Sequence, residues 1–293
     1  MMESPILSTE ILGVPITCFC SYDHAAESVV QRIRQGGKTF CIAINPEKIC
    51  FVRNDHAFAD IVHNGDIHIC DGVGVALAVR WITGWQIPRV TGVDLFFKLV
   101  ETAEEEGLSV FLLGARPETN DKAYETLRAK HPKLSIAGRH HGFFTDAEEI
   151  IRQINASGAD MLFVALGSPR QERWLGEHLH RIDASFCMGV GGSLDVLTGN
   201  VRRAPKLFRR TGTEFLYRLM CEPWRWRRQS VLLGFGVKVL VEALLTRGPK
   251  ALISSREIRK AYIQAERSRH VDANCLRTIA DPKTVHSSRP PPF

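Results

Sequence analysis

The sequence predicts an α/β protein of the broad Rossmann type: a parallel sheet with helices on both faces, followed by a basic helical C-terminal appendage. Short runs rich in apolar and β-branched residues recur six times between residues 39 and 191. They are apolar throughout rather than alternating, as strands buried on both faces must be. Segments of helical periodicity separate them, and that alternation is the signature of βαβ units. Strand signals stop after Gly199, where the chain turns basic and aromatic.

The first helix is expected over Asp23–Arg34 and the first strand over Thr39–Asn45. A second strand, Asp66–Asp71, leads into a helix over Gly72–Trp81, and another helix spans Gly92–Glu106. Three strand–helix units follow in part: strand Ser109–Gly114 with helix Glu118–Lys130, strand Leu134–Gly138 with helix Asp146–Ala156, and strand Asp160–Gly167 with helix Arg170–His180. The last strand is Ser185–Gly191. Pro117, Asp146 and Pro169 stand where helices should start, and Gly107 and Gly158 where they should stop. Beyond the core, predicted to occupy residues 1–200, an appendage over 201–246 contains Phe208, Phe215, Tyr217, Trp224 and Trp226. Within it Val231–Leu245 is apolar apart from Lys238 and Glu242, too short and too polar to span a bilayer and better suited to an interface or a docking surface. Residues 247–293 are polar, end near a Pro-Pro-Pro run, and are expected to be loosely ordered.

With 293 residues, 44% of them hydrophobic and 24% charged, the composition excludes disorder, collagen-like repeats and a multi-span membrane protein. Met1–Glu10 lacks the basic start and apolar run of a secretory signal, so a cytoplasmic location is expected. Eight cysteines include no CxxC pair, and several lie inside strand-like runs, which favours reduced, buried thiols over disulfides. The net charge of +6 is local: Arg202 to Arg228 carries nine basic residues against Glu214 and Glu222, or +7, leaving −1 for the rest. Such a patch suits phosphates, anionic lipid surfaces or nucleic acid.

In a doubly wound sheet ligands bind at the carboxyl ends of the strands, so the residues after each strand are the ones to read. Asn45-Pro46-Glu47, Asp71-Gly72-Val73-Gly74, Gly114-Ala115-Arg116-Pro117, Gly167-Ser168-Pro169-Arg170-Gln171-Glu172 and Gly189-Val190-Gly191-Gly192-Ser193 all fall there. Glycines in these loops let backbone N–H groups approach a ligand, and the helix starts that follow favour phosphate. Together they suggest a nucleotide or sugar-nucleotide site. Asp71 is placed to take a proton from an attacking hydroxyl, or simply to cap the helix behind it. Gln171 and Glu172 could reach a sugar or a base, or cap their own helix. Arg89 could hold a diphosphate in bidentate fashion, or form a surface ion pair.

No metal motif is visible. HExxH, CxxC and DxD are absent, and His140-His141-Gly142 reads better as a turn or sugar contact than as a ligand pair. A dinucleotide fingerprint fails as well, since the third glycine is replaced by Leu77 after Gly72-Val73-Gly74 and by Leu194 after Gly189-Val190-Gly191. No cofactor is therefore expected. Two rival readings exist: a nucleic-acid-binding module using the Arg/Trp patch, which leaves the glycine loops unexplained, and a sugar-nucleotide epimerase or dehydrogenase, which requires bound nicotinamide.

Taken in order, Asn45-Pro46-Glu47, Asp71-Gly72-Val73-Gly74, Arg89-Val90-Thr91-Gly92-Val93-Asp94, Phe111-Leu112-Leu113-Gly114, His141-Gly142-Phe143-Phe144, Gly167 to Glu172, Gly189 to Gly192, Arg203-Ala204-Pro205 and Glu222-Pro223-Trp224-Arg225 resemble the WecG/TagA/CpsF glycosyltransferases, family 26. The resemblance implies an inverting, metal-independent transferase. It would move a sugar, often N-acetylmannosamine or its uronic acid and sometimes glucose, from a UDP-sugar to a polyprenyl-diphosphate-linked saccharide of the cell surface. By position, Asp71 resembles the family's general base, and Arg89 and Gln171 its substrate-binding residues. Arg218, Arg225 and Arg228 match arginines of an appendage that closes over the site and meets diphosphate and membrane. The implied substrate-binding set is Asn45, Gly72, Gly74, Arg89, Gly114, Gly167, Gln171, Glu172, Gly191, Gly192 and these three arginines. The partners implied are the UDP-sugar donor, the lipid-diphosphate acceptor, the inner face of the cytoplasmic membrane and, optionally, a second copy of the chain; nucleic acid is not among them. One departure is Ala43, where members often carry Thr two residues before the Asn. Another is the long continuation beyond Arg228.

Overall fold

The computed structural model describes residues 7–201, 203–205, 207–208, 213–221 and 226–246. Its centre is an eight-stranded sheet. In chain order the strands are β1 (Leu7–Ile11), β2 (Val14–Cys18), β3 (Thr39–Ile44), β4 (Ile67–Cys70), β5 (Ser109–Gly114), β6 (Ser135–His140), β7 (Met161–Ala165) and β8 (Phe186–Gly189). They lie in the order β1-β2-β4-β3-β8-β7-β5-β6, parallel except for β1, which runs antiparallel to β2 at the edge. The α/β class and the six predicted strands are as the sequence implies.

The helices are α1 (Tyr22–Arg34), α2 (Pro46–Asn54), α3 (His56–His63), α4 (Val73–Thr83), α5 (Gly92–Glu106), α6 (Pro117–Lys130), α7 (Ala147–Ser157), α8 (Arg170–His178) with a single 3-10 turn behind it, α9 (Ser193–Leu197), α10 (Glu214–Cys221) and α11 (Trp226–Thr246). They split into two layers. Ile42 and Ile44 of β3, Leu113 of β5 and Val164 of β7 share one cluster with Ile49, Val62, Val75, Ile151, Leu175 and Phe235 from α2, α3, α4, α7, α8 and α11. Ala43, Leu112, Phe163 and Met188 point the other way, into a second cluster with Val29, Phe96, Leu127 and Leu194 from α1, α5, α6 and α9. Period-two side chains therefore meet apolar neighbours on both faces, which is why these strands read as continuous apolar runs.

The β1–β2 hairpin is not visible in the sequence. Its turn places both Leu12 (φ 53) and Gly13 (φ 79) in the left-handed region, as a two-residue primed turn requires. Leucine is a poor occupant of that region, and the turn is held from outside: the Leu12 N–H donates to Glu242 Oε2 of α11 at 3.1 Å.

Cys18, Cys41, Cys50, Cys70 and Cys187 are free. Burial pushes the Cys18, Cys41 and Cys187 thiols up to about 12, so they stay protonated. Cys20 corrects the expectation of reduced thiols, because it is disulfide-bonded. It stands past the end of β2, half-buried in the turn before α1, where it is not sealed inside the sheet as the strand cysteines are. Among the described residues no helix is long and apolar enough to cross a membrane.

Candidate active site

The predicted loops do converge on one edge. In the order β4-β3-β8-β7-β5, the carboxyl ends present Asp71, Asn45, Gly191, Gly167 and Gly114. At ordinary strand spacing β4 and β7 are about 14 Å apart along this edge.

Asp71 follows β4, and its N–H donates to the Ile44 carbonyl at 2.9 Å, which fastens the Asp71 and Asn45 loops together. The capping position of α4 falls on Gly72, not Asp71. Gly72 sits at φ 98, a conformation that favours glycine. A Cβ on Gly74 would come within 2.8 Å of Pro46, so the two loops pack too closely for a larger residue. Asn45 spends its side-chain oxygen on the Lys48 N–H as the N-cap of α2. The loop carrying Arg89 is held at the end of β4, before Asp71, by the Val90 N–H, which donates to the Cys70 carbonyl at 3.1 Å. The buried Cys70 thiol is raised first by burial and then by the Asp71 charge, with Arg89 opposing.

Arg89 is followed by a buried polar cluster. Thr91 caps α5, and Asp94, on its first turn, accepts from Thr91 Oγ1 at 2.8 Å and from the Tyr22 hydroxyl at 3.3 Å. The Thr91 N–H in turn donates to the Tyr22 hydroxyl at 3.2 Å. Burial, and after it the charge of Asp94, raises the Tyr22 hydroxyl above its ordinary range, so it remains a donor.

Gln171 and Glu172 lie deeper than the sequence suggests, and neither caps α8. Gln171 accepts from the Gly191 N–H at 3.0 Å and donates to Glu172 Oε1 at 2.9 Å, and its side chain lies over Gly189, where a Cβ would meet it at 2.4 Å. Glu172, 1% exposed, pairs with Lys48 Nζ at 2.7 Å, and Lys48 also donates to the Ala43 carbonyl at 2.7 Å. Burial pushes the Glu172 carboxyl up, but the Lys48 charge and the hydrogen bonds from Lys48 and Gln171 outweigh it and hold it below its usual range. This cluster knits the ends of β3, β7 and β8. Lys48 was not singled out from the sequence, where a lysine on a short helix reads as a solvated surface group.

On the far side, between the ends of β5, β6 and β7, opens a cleft of about 850 Å3 lined by Arg116, Gly142, Phe143, Arg170, Asp195 and Asn200, among others. Its size suits a drug-sized or nucleotide ligand. The starts of α6 and α8 border it, and neither carries a side-chain cap, so their first N–H groups point at the edge without a capping side-chain acceptor. Arg116, Gly142, Phe143 and Arg170 lie within motifs singled out in the sequence, whereas Asp195 and Asn200 do not. Gly114 is pinned by φ 120 and by the Ala165 backbone, 2.5 Å from where a Cβ would sit.

Arg225 lies outside the described residues. So do the side chains of Arg218 and Arg228, whose backbones fall in α10 and α11. Among the described residues there is no group of three or more His, Cys, Asp or Glu able to hold a metal ion.

The model of the glycosyl transferase WecG/TagA/CpsF family matches residues 9–249. Among curated proteins, an N-acetylglucosaminyldiphosphoundecaprenol N-acetyl-beta-D-mannosaminyltransferase of Bacillus spizizenii is 32% identical over 240 residues, covering 82% of this chain and 91% of the relative. A protein of the same description from Bacillus subtilis is 32% identical over 199 residues, covering 68% of this chain and 78% of the relative.

Proposed function

The chain belongs to the WecG/TagA/CpsF family of glycosyl transferases, and from that premise we propose that it transfers N-acetylmannosamine from a UDP-linked donor to N-acetylglucosamine on a polyprenyl diphosphate, with inversion. The family makes it a glycosyltransferase, and the relatives' descriptions motivate this sugar and acceptor. The observation that carries the reading for this chain is that Asp71 and the loop carrying Arg89 meet at the end of β4, on the same edge as the cleft and its uncapped helix starts.

In this reading the nucleotide occupies the cleft, where Arg116, Arg170 and the starts of α6 and α8 offer positive charge. The diphosphate runs along the edge toward Arg89. An acceptor hydroxyl attacks the anomeric carbon and gives its proton to the Asp71 carboxylate. The new C–O bond forms on one face of the sugar as the bond to the diphosphate oxygen breaks on the other. Arg89 and the helix N-termini meet the negative charge that develops on the departing UDP, the role a cation would otherwise play. Gln171, Glu172 and Lys48 hold the loops in place, and Asn45, Gly72, Gly74, Gly114, Gly167, Gly191 and Gly192 shape the backbone against the substrates. Arg218, Arg225 and Arg228 contribute diphosphate contacts from the C-terminal segment, which also touches the membrane.

Asp71→Asn keeps the shape but cannot accept the proton, so transfer should fall by about 100-fold or more while UDP binding stays within about twofold. Transfer within about tenfold of the unaltered protein would remove Asp71 from the role. Transfer should persist in excess EDTA; arrest by EDTA with rescue by magnesium or manganese would overturn the cationic-side-chain reading. A panel of UDP-sugars, with product mass as readout, tests the donor.

A further inference from the structure

Two motifs that lie far apart in the sequence meet in the fold. Arg203, at the head of the basic C-terminal segment, places its guanidinium Nη2 2.5 Å from Asp94 Oδ1, with the two side chains 15% and 8% exposed. Among the described residues, Arg203 Nε and Asp94 Oδ1 are both buried without a hydrogen-bond partner, so the two side chains are held together as an ion pair. On the other side, Asp94 Oδ2 accepts from Thr91 and Tyr22, and the Thr91 N–H is tied to Tyr22. The loop carrying Arg89 is therefore fastened at Val90 to β4 and at Thr91 to this cluster.

We propose that the Asp94–Arg203 ion pair is a positioning latch that sets the root of the C-terminal segment against the Arg89 loop, so that the arginines of that segment and Arg89 act on one substrate. Neither Asp94 nor Arg203 touches substrate in this scheme; both act through others. The physical reason is the cost of a lone charge. A carboxylate this deeply buried is stable only while paired, so the segment cannot leave without stranding Asp94, and the pair holds two otherwise separate parts of the chain in one register. The inference rests on the proposed role of Arg218, Arg225 and Arg228 in meeting the acceptor's diphosphate.

The test uses the full chain, with steady-state transfer to a short-chain lipid-diphosphate acceptor and separate UDP binding. Arg203→Met should raise the acceptor KM about tenfold, the scale of a misplaced binding group, and leave UDP binding within about twofold. Arg203→Lys should recover part of the loss. Asp94→Asn should raise the acceptor KM and the donor KM together, because it also loosens Thr91 and with it Arg89. The double variant Asp94→Asn/Arg203→Met, which leaves no lone buried charge, should be no worse than Asp94→Asn, and it carries the test if Arg203→Met does not fold. A merely structural pair would lower the melting temperature and leave the kinetics of the folded enzyme unchanged, and that result overturns the latch. The triple variant Arg218→Ala/Arg225→Ala/Arg228→Ala separates the two readings. If it raises the acceptor KM while Arg203→Met does not, the latch alone is wrong. If it leaves the acceptor KM within about twofold, the role given to those arginines is wrong, and the latch falls with it.

Discussion

Lys48 and Glu172 are two charges that water would otherwise hold, set 2.7 Å apart beneath the site with 4% and 1% of their surface exposed. Removing one partner of such a pair leaves the other buried and uncompensated, at a cost of about 3–5 kcal/mol. Lys48→Met should therefore destabilise the protein by about that much at pH 7, measured by chemical denaturation. The pH dependence gives the sign. In the unaltered protein the folded carboxyl lies below its ordinary value near 4.3, so the pair's contribution is complete at neutral pH and is lost only as pH falls below that value. In Lys48→Met the burial penalty, the largest influence on the carboxyl, loses the Lys48 charge that opposed it and keeps only hydrogen bonds such as that from Gln171, so the carboxyl rises and its protonation relieves the penalty on acidification. The stability gap between the two proteins should narrow from pH 7 to pH 5, and a constant gap would contradict the pairing. Residue types show how far the sequence could lead. That Asp71, Arg89, Gln171 and Glu172 fall at the carboxyl edge of the sheet was legible because they follow apolar strands, although each also had a structural reading, as a helix cap or a surface ion pair. Lys48 was not, because nothing in a sequence distinguishes a lysine that snorkels outward from one that turns in to a carbonyl and a carboxylate. The depth of Gln171 and Glu172 was hidden for the same reason.

At the scale of elements, β3, β4, β5, β7 and β8 declared themselves because burial on both faces leaves little room for polar residues, whereas β6 is the edge of the sheet and has no fully buried residue. Helix starts at Pro117 and Asp146 and stops at Gly107 and Gly158 followed from backbone chemistry, and those glycines indeed end α5 and α7 in the left-handed region. The first hairpin could not be seen, since its turn depends on a carboxylate 230 residues away rather than on its own Leu12-Gly13. The helices α2 and α3 were missed too, being short and separated only by Asp55, which caps α3. The last helix, α11, starts five residues before the predicted Val231 because its apolar pattern begins only there. It has two faces with different tasks. Phe235, Val239 and Ala243 are buried against the core beside α2 and α4, while Val237, Leu240, Val241, Leu244 and Leu245 stand exposed, Leu245 at 78%. Phe235→Ala should lower stability by about 3–5 kcal/mol. Leu244→Ser/Leu245→Ser should leave the melting temperature nearly unchanged and reduce retention on lipid vesicles. If the outer pair lowers stability as much as the inner residue, α11 is buried all round and not an interfacial helix.

Over the whole molecule, the positive charge of the sequence and the exposed apolar face of α11 both belong to the C-terminal part of the chain. The stretch from Arg202 to Arg228 carries +7, residues 247–293 carry +6 and the remainder of the chain −7, so the positive charge belongs to the C-terminal third of the sequence and the core is acidic. The helix α11 exposes its apolar face and packs on α4, which starts just after Gly72, next to Asp71. An acceptor whose lipid tail stays in a membrane would thus present its sugar close to the proposed base, and the sheet would stand with its carboxyl edge toward the bilayer. Each basic residue near an anionic surface contributes about 1 kcal/mol, and the effect decays over a Debye length of about 10 Å at 0.1 M salt and about 3 Å at 1 M. The apolar face of α11 adds a contribution that salt does not screen. The full-length protein should sediment with vesicles containing anionic lipid at low salt, release progressively as salt rises, and bind neutral vesicles weakly through the α11 face alone. Leu244→Ser/Leu245→Ser should abolish that salt-resistant remainder while leaving the salt-sensitive part. A protein that stays in the supernatant with anionic vesicles at low salt would refute the membrane-facing orientation, because both the charge and the apolar face of α11 would then have failed to bind the surface that orientation requires.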